Sequence, residues 1–176
     1  MTAQAVRLTE SFYSRSAIEL APLICGKILS VRQPDGSIRS GRITETECYY
    51  GEEDTACHAH AGRTKRTETL YSAGGTAYVY LCYGIHDLFN IVTGPAGHPE
   101  AVLLRGIEGF PGPGRASKAL GITRRMNGLS LIDSEEIWLE DDGYIPVIEE
   151  NKRIGIGYAD VSDQNKLWRF TTTEKP

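Results

Sequence analysis

Two hairpin signatures constrain the fold more than any other feature of this chain. KILSVRQ and SIRSGRITETECY are β-rich runs joined by PDG, a turn sequence in which Pro presets φ and Gly accepts what other residues resist. TAYVYLCY and DLFNIVTG repeat the pattern, turning through GIH. Strands closed by turns this tight argue for an antiparallel or mixed sheet with a few helices packed on it. AVLLRGIEG is a third clear strand, and EIWLEDD, KRIGIGY and KLWRF read as short strands joined by turns. SRSAIELAPLICG predicts a short amphipathic helix, with Ser14 or Ser16 as N-cap and Gly26 as its end. GPGRASKALGI predicts a second helix, entered through Pro113 and closed near Gly121. The expected class is α+β.

At 176 residues the chain is expected to form a single domain over residues 1–176, large enough to bury a core without disulfides or metal staples. Hydrophobic residues at 40% and charged residues at 24% are ordinary globular usage, which excludes wholesale disorder. The longest apolar runs, AYVYLCYG and AVLLRGI, fall far short of the roughly 20 residues that span a bilayer, so no membrane partner is expected. The N-terminus lacks a basic start followed by an apolar stretch and a small-residue cleavage site. Cys25, Cys48, Cys57 and Cys82 have no framework spacing, which suits reduced thiols. A cytoplasmic protein is expected, nucleoid-associated if prokaryotic. A net charge of −4 does not advertise a nucleic-acid binder, but a local basic stripe can dominate the field near one groove.

From Tyr49 to Ala73 the periodicity fails, and an irregular stretch that long is uncommon unless functional. Its approach, ETECYYGEEDTACHAH, holds five acidic side chains, two cysteines, two histidines and two adjacent tyrosines in sixteen residues. Three readings compete: a metal site, an acid–base site or a solvated polar loop. Cys48, Cys57, His58 and His60 could ligate a metal, but zinc spacings such as C-x₂₋₄-C and H-x₃₋₅-H are missing, and adjacent Cys57 and His58 would diverge in a strand. Strand alternation puts Thr44, Thr46 and Cys48 on one face and Glu45, Glu47 and Tyr49 on the other. Glu47 and Tyr49 are thus expected to project together at the very end of a strand.

RITETECYYGEEDTACHAHAGR, GGTAYVYLCYGIHDLFNIV and AVLLRGIEG, in this order, resemble the alkyladenine (3-methyladenine) DNA glycosylase family. The likeness continues through GPGRASKALGI, EEIWLE and RIGIGYA, nearly the whole chain. It implies one domain with a curved, mainly antiparallel, partly open barrel-like sheet that projects a hairpin into the DNA minor groove. The implied partner is double-stranded DNA with damaged purines, met by a monomer needing no cofactor and no metal. The implied activity flips out alkylated or deaminated purines and hydrolyses the N-glycosidic bond. A binding module without catalysis, for DNA or RNA, is the alternative; the retained Glu47 and Arg105 count against it.

The resemblance also implies residue roles. Glu47 matches the family's water-activating glutamate, a carboxylate suited to a reaction that builds oxocarbenium character. Arg105 matches an arginine that helps hold the water and the target phosphate. Ile154 matches a residue whose backbone carbonyl completes the water site, its side chain expected in the core. Tyr49, His58 and Tyr80 match the residues that sandwich the flipped purine, where a cationic base gains cation–π energy. Asn90 matches the residue that obstructs the amine of normal guanine. Tyr83, beside Gly84 at the hairpin tip, would fill the gap left by the extruded nucleotide. Ile85, His86 and Leu103 are expected on the same DNA-facing surface as Gly84. GRTKR supplies Arg63, Thr64, Lys65 and Arg66 for phosphate contacts. His60, Tyr71 and His86 depart from the family pattern.

Overall fold

A thirteen-residue strand, β3 (Ile38–Tyr50), organises the molecule, whose computed structural model describes residues 4–173. Its first half pairs with β2 (Ile28–Arg32) across the PDG turn, as the hairpin signature predicts. Its second half pairs with β6 (Glu100–Ile107) on one side and β10 (Arg169–Thr172) on the other. β4 (Ala77–Cys82) and β5 (His86–Val92) form the second hairpin, and β5 pairs with β6. β1 (Val6–Arg7), β7 (Phe110–Pro111), β8 (Ile137–Asp141) and β9 (Ile148–Asn151) complete the sheet. The main order is β1-β8-β2-β3-β6-β5-β4, and every pairing among the described residues is antiparallel. The sheet stays open rather than closing into a barrel.

Among the described residues four short α-helices accompany it: α1 (Glu10–Tyr13), α2 (Ala17–Ile24), α3 (Pro113–Leu120) and α4 (Val161–Gln164). Ser16, not Ser14, caps α2, in a reciprocal box with Glu19; such a cap stabilises by about 1 kcal/mol. α3 enters through Pro113 and stops at Gly121 in the left-handed conformation, φ 73°. Leu20 and Ile24 of α2 share one buried core with Ile43 and Cys48 of β3, Leu104 of β6 and Phe89 and Ile91 of β5. Each such side chain contributes about 1.5–3 kcal/mol relative to exposure. Thr46 stays on this buried face because its hydroxyl donates to Ala21 O at 2.7 Å. The sheet's other face, one residue out of phase, carries the polar and aromatic side chains.

Three local expectations are corrected. KRIGIGY is a loop, not a strand, because its donors go to side chains rather than a ladder: the Ile154 N–H bonds the Glu47 carboxylate at 2.7 Å, and Gly155 turns the chain at φ 74°. The second hairpin turns through Tyr83-Gly84-Ile85, since His86 pairs with Cys82 in the ladder. Glu47 does not end a strand; it faces Leu103 on β6 and Arg169 on β10, in the middle of a three-strand ladder.

Candidate active site

In-register neighbours on an antiparallel sheet point to one side, so the pairings define the site's floor. Glu47 opposes Leu103, Leu103 opposes Asn90 and Asn90 opposes Tyr78, one row across four strands. Two residues along lie Tyr49 and Tyr80, on the same face. Between Glu45 and Thr46 the ladder slips: their partners on β6 are Gly106 and Leu104, which leaves Arg105 as the extra residue of a bulge. Bulges re-aim side chains, and Arg105 reaches both Glu45 (3.3 Å) and Glu47 (3.2 Å). Arg169 closes on Glu45 from the other side at 3.1 Å.

Above this floor lies a cavity of about 460 Å³. Tyr49, His58, Tyr80, Asn90, Leu103, Arg105 and Ile154 all line it, together with Arg66 and Tyr83. Glu47 sits just behind the wall with 0% exposure. Its Oε1 accepts from Arg105 Nη1 at 3.2 Å and the Tyr49 hydroxyl at 3.3 Å, and its Oε2 accepts from the Ile154 N–H. Burial raises its pKa above the ordinary carboxylate value, and the opposing pulls of Arg105, the Ile154 N–H and Tyr49 do not cancel it. A carboxylate so placed is a proton acceptor of raised basicity.

The Ile154 side chain, expected in the core, is instead 50% exposed at the pocket rim. The backbone there is committed to Glu47, which leaves the side chain facing outward. His58 Nδ1 meets the Tyr78 hydroxyl at 3.0 Å, and the imidazole packs edge-on against Tyr80, ring centroids 4.5 Å apart. Burial, then the charge of Arg66, lowers the His58 pKa and favours the neutral ring. Asn90 donates its amide to Tyr78 O at 3.2 Å.

Tyr83 is 89% exposed at the hairpin tip, and it alone among the described non-glycine residues has positive φ, 51°. A bulky residue held left-handed costs about 1–2 kcal/mol, strain of the kind that gathers at functional sites. Gly84 follows at φ 70° and Ile85 is 73% exposed. The His86 ring lies against Gly114 of α3, where an added Cβ would fall 2.7 Å from Nδ1. The GRTKR cations have unlike surroundings. Arg63 forks onto Glu68 (2.8 and 2.5 Å) over the Tyr71 ring; Lys65 is exposed; Arg66 turns to the pocket. Thr64 and Thr67 tie this turn together at 2.9 Å.

Among the described residues, no three of His, Cys, Asp and Glu gather as metal ligands would. Cys48 is buried in the main core, while His60 bonds Glu52 O at 2.7 Å.

Sequence reasoning missed Tyr78, which shares a face with Tyr80 and is legible by the same alternation. It also missed Arg153 and Asp54. Arg153 lies between Tyr49 and Trp168, 4.9 and 5.0 Å from their ring centroids, and forks onto Asp54 at 2.6 and 2.9 Å. Nothing in the sequence signals a pair 99 residues apart.

A family model described as methylpurine-DNA glycosylase (MPG) matches residues 11–111 and 108–176. The chain belongs to the methylpurine-DNA glycosylase family. A Psychrobacter cryohalolentis protein named "Putative 3-methyladenine DNA glycosylase" is 40% identical over 94% of this chain and 92% of its own length. Proteins of the same name from Borrelia garinii subsp. bavariensis and Myxococcus xanthus are 41% and 42% identical, over 90% and 92% of this chain and 92% and 89% of theirs. Members of this family are DNA glycosylases, hydrolases of N-glycosyl bonds, and DNA is the substrate of this one. None of its described helices is long and apolar enough to cross a membrane.

Proposed function

We propose that this glycosylase extrudes alkylated or deaminated purines (3-methyladenine, 7-methylguanine, hypoxanthine, ethenoadenine) from double-stranded DNA. It then hydrolyses the N-glycosidic bond with water activated by Glu47 and leaves an abasic site. The observation that carries this reading is a fully enclosed carboxylate, held by Arg105, the Ile154 N–H and Tyr49, directly behind an aromatic-lined pocket. Such a group can orient water, take its proton and stabilise the developing positive sugar. Among the described residues no lysine lines the pocket, which supports hydrolysis by water rather than through an imine.

Tyr49, His58 and Tyr80 stack the extruded base, and Asn90 rejects the amine of normal guanine. Arg105 reaches the target phosphate, and the Ile154 carbonyl completes the water site. Tyr83 fills the vacated stack. Arg63, Thr64, Lys65, Gly84, Ile85 and His86 face the duplex, mostly toward its backbone, whereas Leu103, expected beside them, is buried and lines the pocket floor. The enzyme acts as a monomer, at the nucleoid of a cytoplasm.

Incubating the protein with alkylated duplex DNA and chromatographing the supernatant tests this reading. Free methylated purine and matching abasic sites, formed equally in chelator, are expected. Strand cleavage through a borohydride-trapped imine, or no released base, contradicts it.

A further inference from the structure

The cations around the pocket differ in whether their charge is already matched. Arg63 is held by Glu68, and Arg105 bridges Glu45 and Glu47. Arg66 makes no ion pair among the described residues, although it lines the cavity, and its Cζ lies 5.9 Å over the Tyr80 ring centroid. Resting on the glycosylase reading above, we infer that Arg66 determines specificity by charge: it favours neutral damaged purines that carry acceptor atoms over N-alkylated purines with a fixed positive charge.

The electrostatics follow from the ring it occupies. Tyr80 attracts a cation through its electron-rich face, but a guanidinium already over that ring spends part of the attraction and repels a second cation. A neutral base meets no such repulsion, and a keto oxygen or unprotonated ring nitrogen can accept from the guanidinium's donors. His58 does not add to the repulsion, since burial and Arg66 itself both favour its neutral form. Arg66 is exposed, so solvent and salt screen it and the preference is moderate. That is a different task from gripping phosphate, which is indifferent to the base.

The test compares wild type, Arg66→Gln and Arg66→Lys on duplexes that differ only in the target, hypoxanthine or 7-methylguanine. Single-turnover specificity constants are measured over a salt series, with thermal unfolding as a check on folding. Arg66→Gln should shift the ratio toward 7-methylguanine by on the order of 10-fold. Arg66→Lys, which keeps the charge, should retain most of the wild-type ratio. An unchanged ratio in Arg66→Gln overturns the inference. So does an equal fall on both substrates with a salt slope flatter by about one unit, the behaviour of a phosphate contact. A wild-type protein that releases neither base overturns the glycosylase reading itself, and this inference with it.

Discussion

Replacing Arg153 with Met should destabilise the protein by about 3–5 kcal/mol, the usual cost of stranding one partner of a buried ion pair. The Arg153 and Asp54 side chains are 0% and 1% exposed. Arg153 donates to both Asp54 oxygens and to Cys48 O at 3.0 Å, so it joins β3, the irregular segment after it and the Ile154 loop. Without it Asp54 keeps the N–H groups of Tyr50 and Ala56, at 3.0 and 3.1 Å, but its charge stays buried and unmatched. A chain of this size loses roughly 2–4 °C of Tm per kcal/mol, so a drop of roughly 6–20 °C is expected by calorimetry. Base excision should also fall at temperatures where the variant is fully folded, because the residue after Arg153 holds Glu47. A Tm within about 2 °C of wild type would refute the reasoning, since that change corresponds to no more than ~1 kcal/mol.

The raised pKa of Glu47 places the acid limb of single-turnover excision above the ordinary 4.5, and a limb at or below that value would contradict the burial argument. The raised value also has a stability consequence: the folded state binds the proton more tightly than the unfolded chain, so wild type should lose stability relative to Glu47→Gln as pH rises from 4.5 through the raised value. The loss should be ~1.4 kcal/mol for each pH unit between the unfolded and folded pKa, read from urea midpoints across pH. Asn90→Ser should raise excision of guanine-type bases relative to adenine-type ones; an unchanged ratio in a folded variant removes Asn90 from base selection. Tyr83→Ala should weaken retention of damaged sites, less so on mispaired duplexes where unstacking is already cheap, and leave the salt slope of binding unchanged. A loss of folding stability with retention of damaged sites unchanged would make Tyr83 a turn residue only.

What the sequence makes legible is what neighbouring residues decide. The two hairpins, the caps of α2 and α3 and the face shared by Glu47 and Tyr49 follow from turn chemistry and alternation. The central position of Glu47 does not, because β10 arrives from more than a hundred residues away to extend the ladder. KRIGIGY misleads for a related reason: its alternation fits a strand, but the partner for the Ile154 N–H is a carboxylate. The bulge that aims Arg105 at two glutamates, and the Arg153–Asp54 fork, depend on register and on contacts between distant segments. The basic run GRTKR is plain in composition, yet only the tertiary structure separates the cation held by Glu68 from the one facing the pocket.

The most direct test of the central claim is single-turnover base release by Glu47→Gln on duplexes carrying one alkylated or deaminated purine. Gln keeps the shape of the side chain and its place beside Arg105 but cannot take a proton from water. Excision should fall by ~10²–10⁴-fold, the scale of a lost general base, while affinity for the damaged duplex stays near wild type. Excision at the wild-type rate by a folded Glu47→Gln protein would contradict the account.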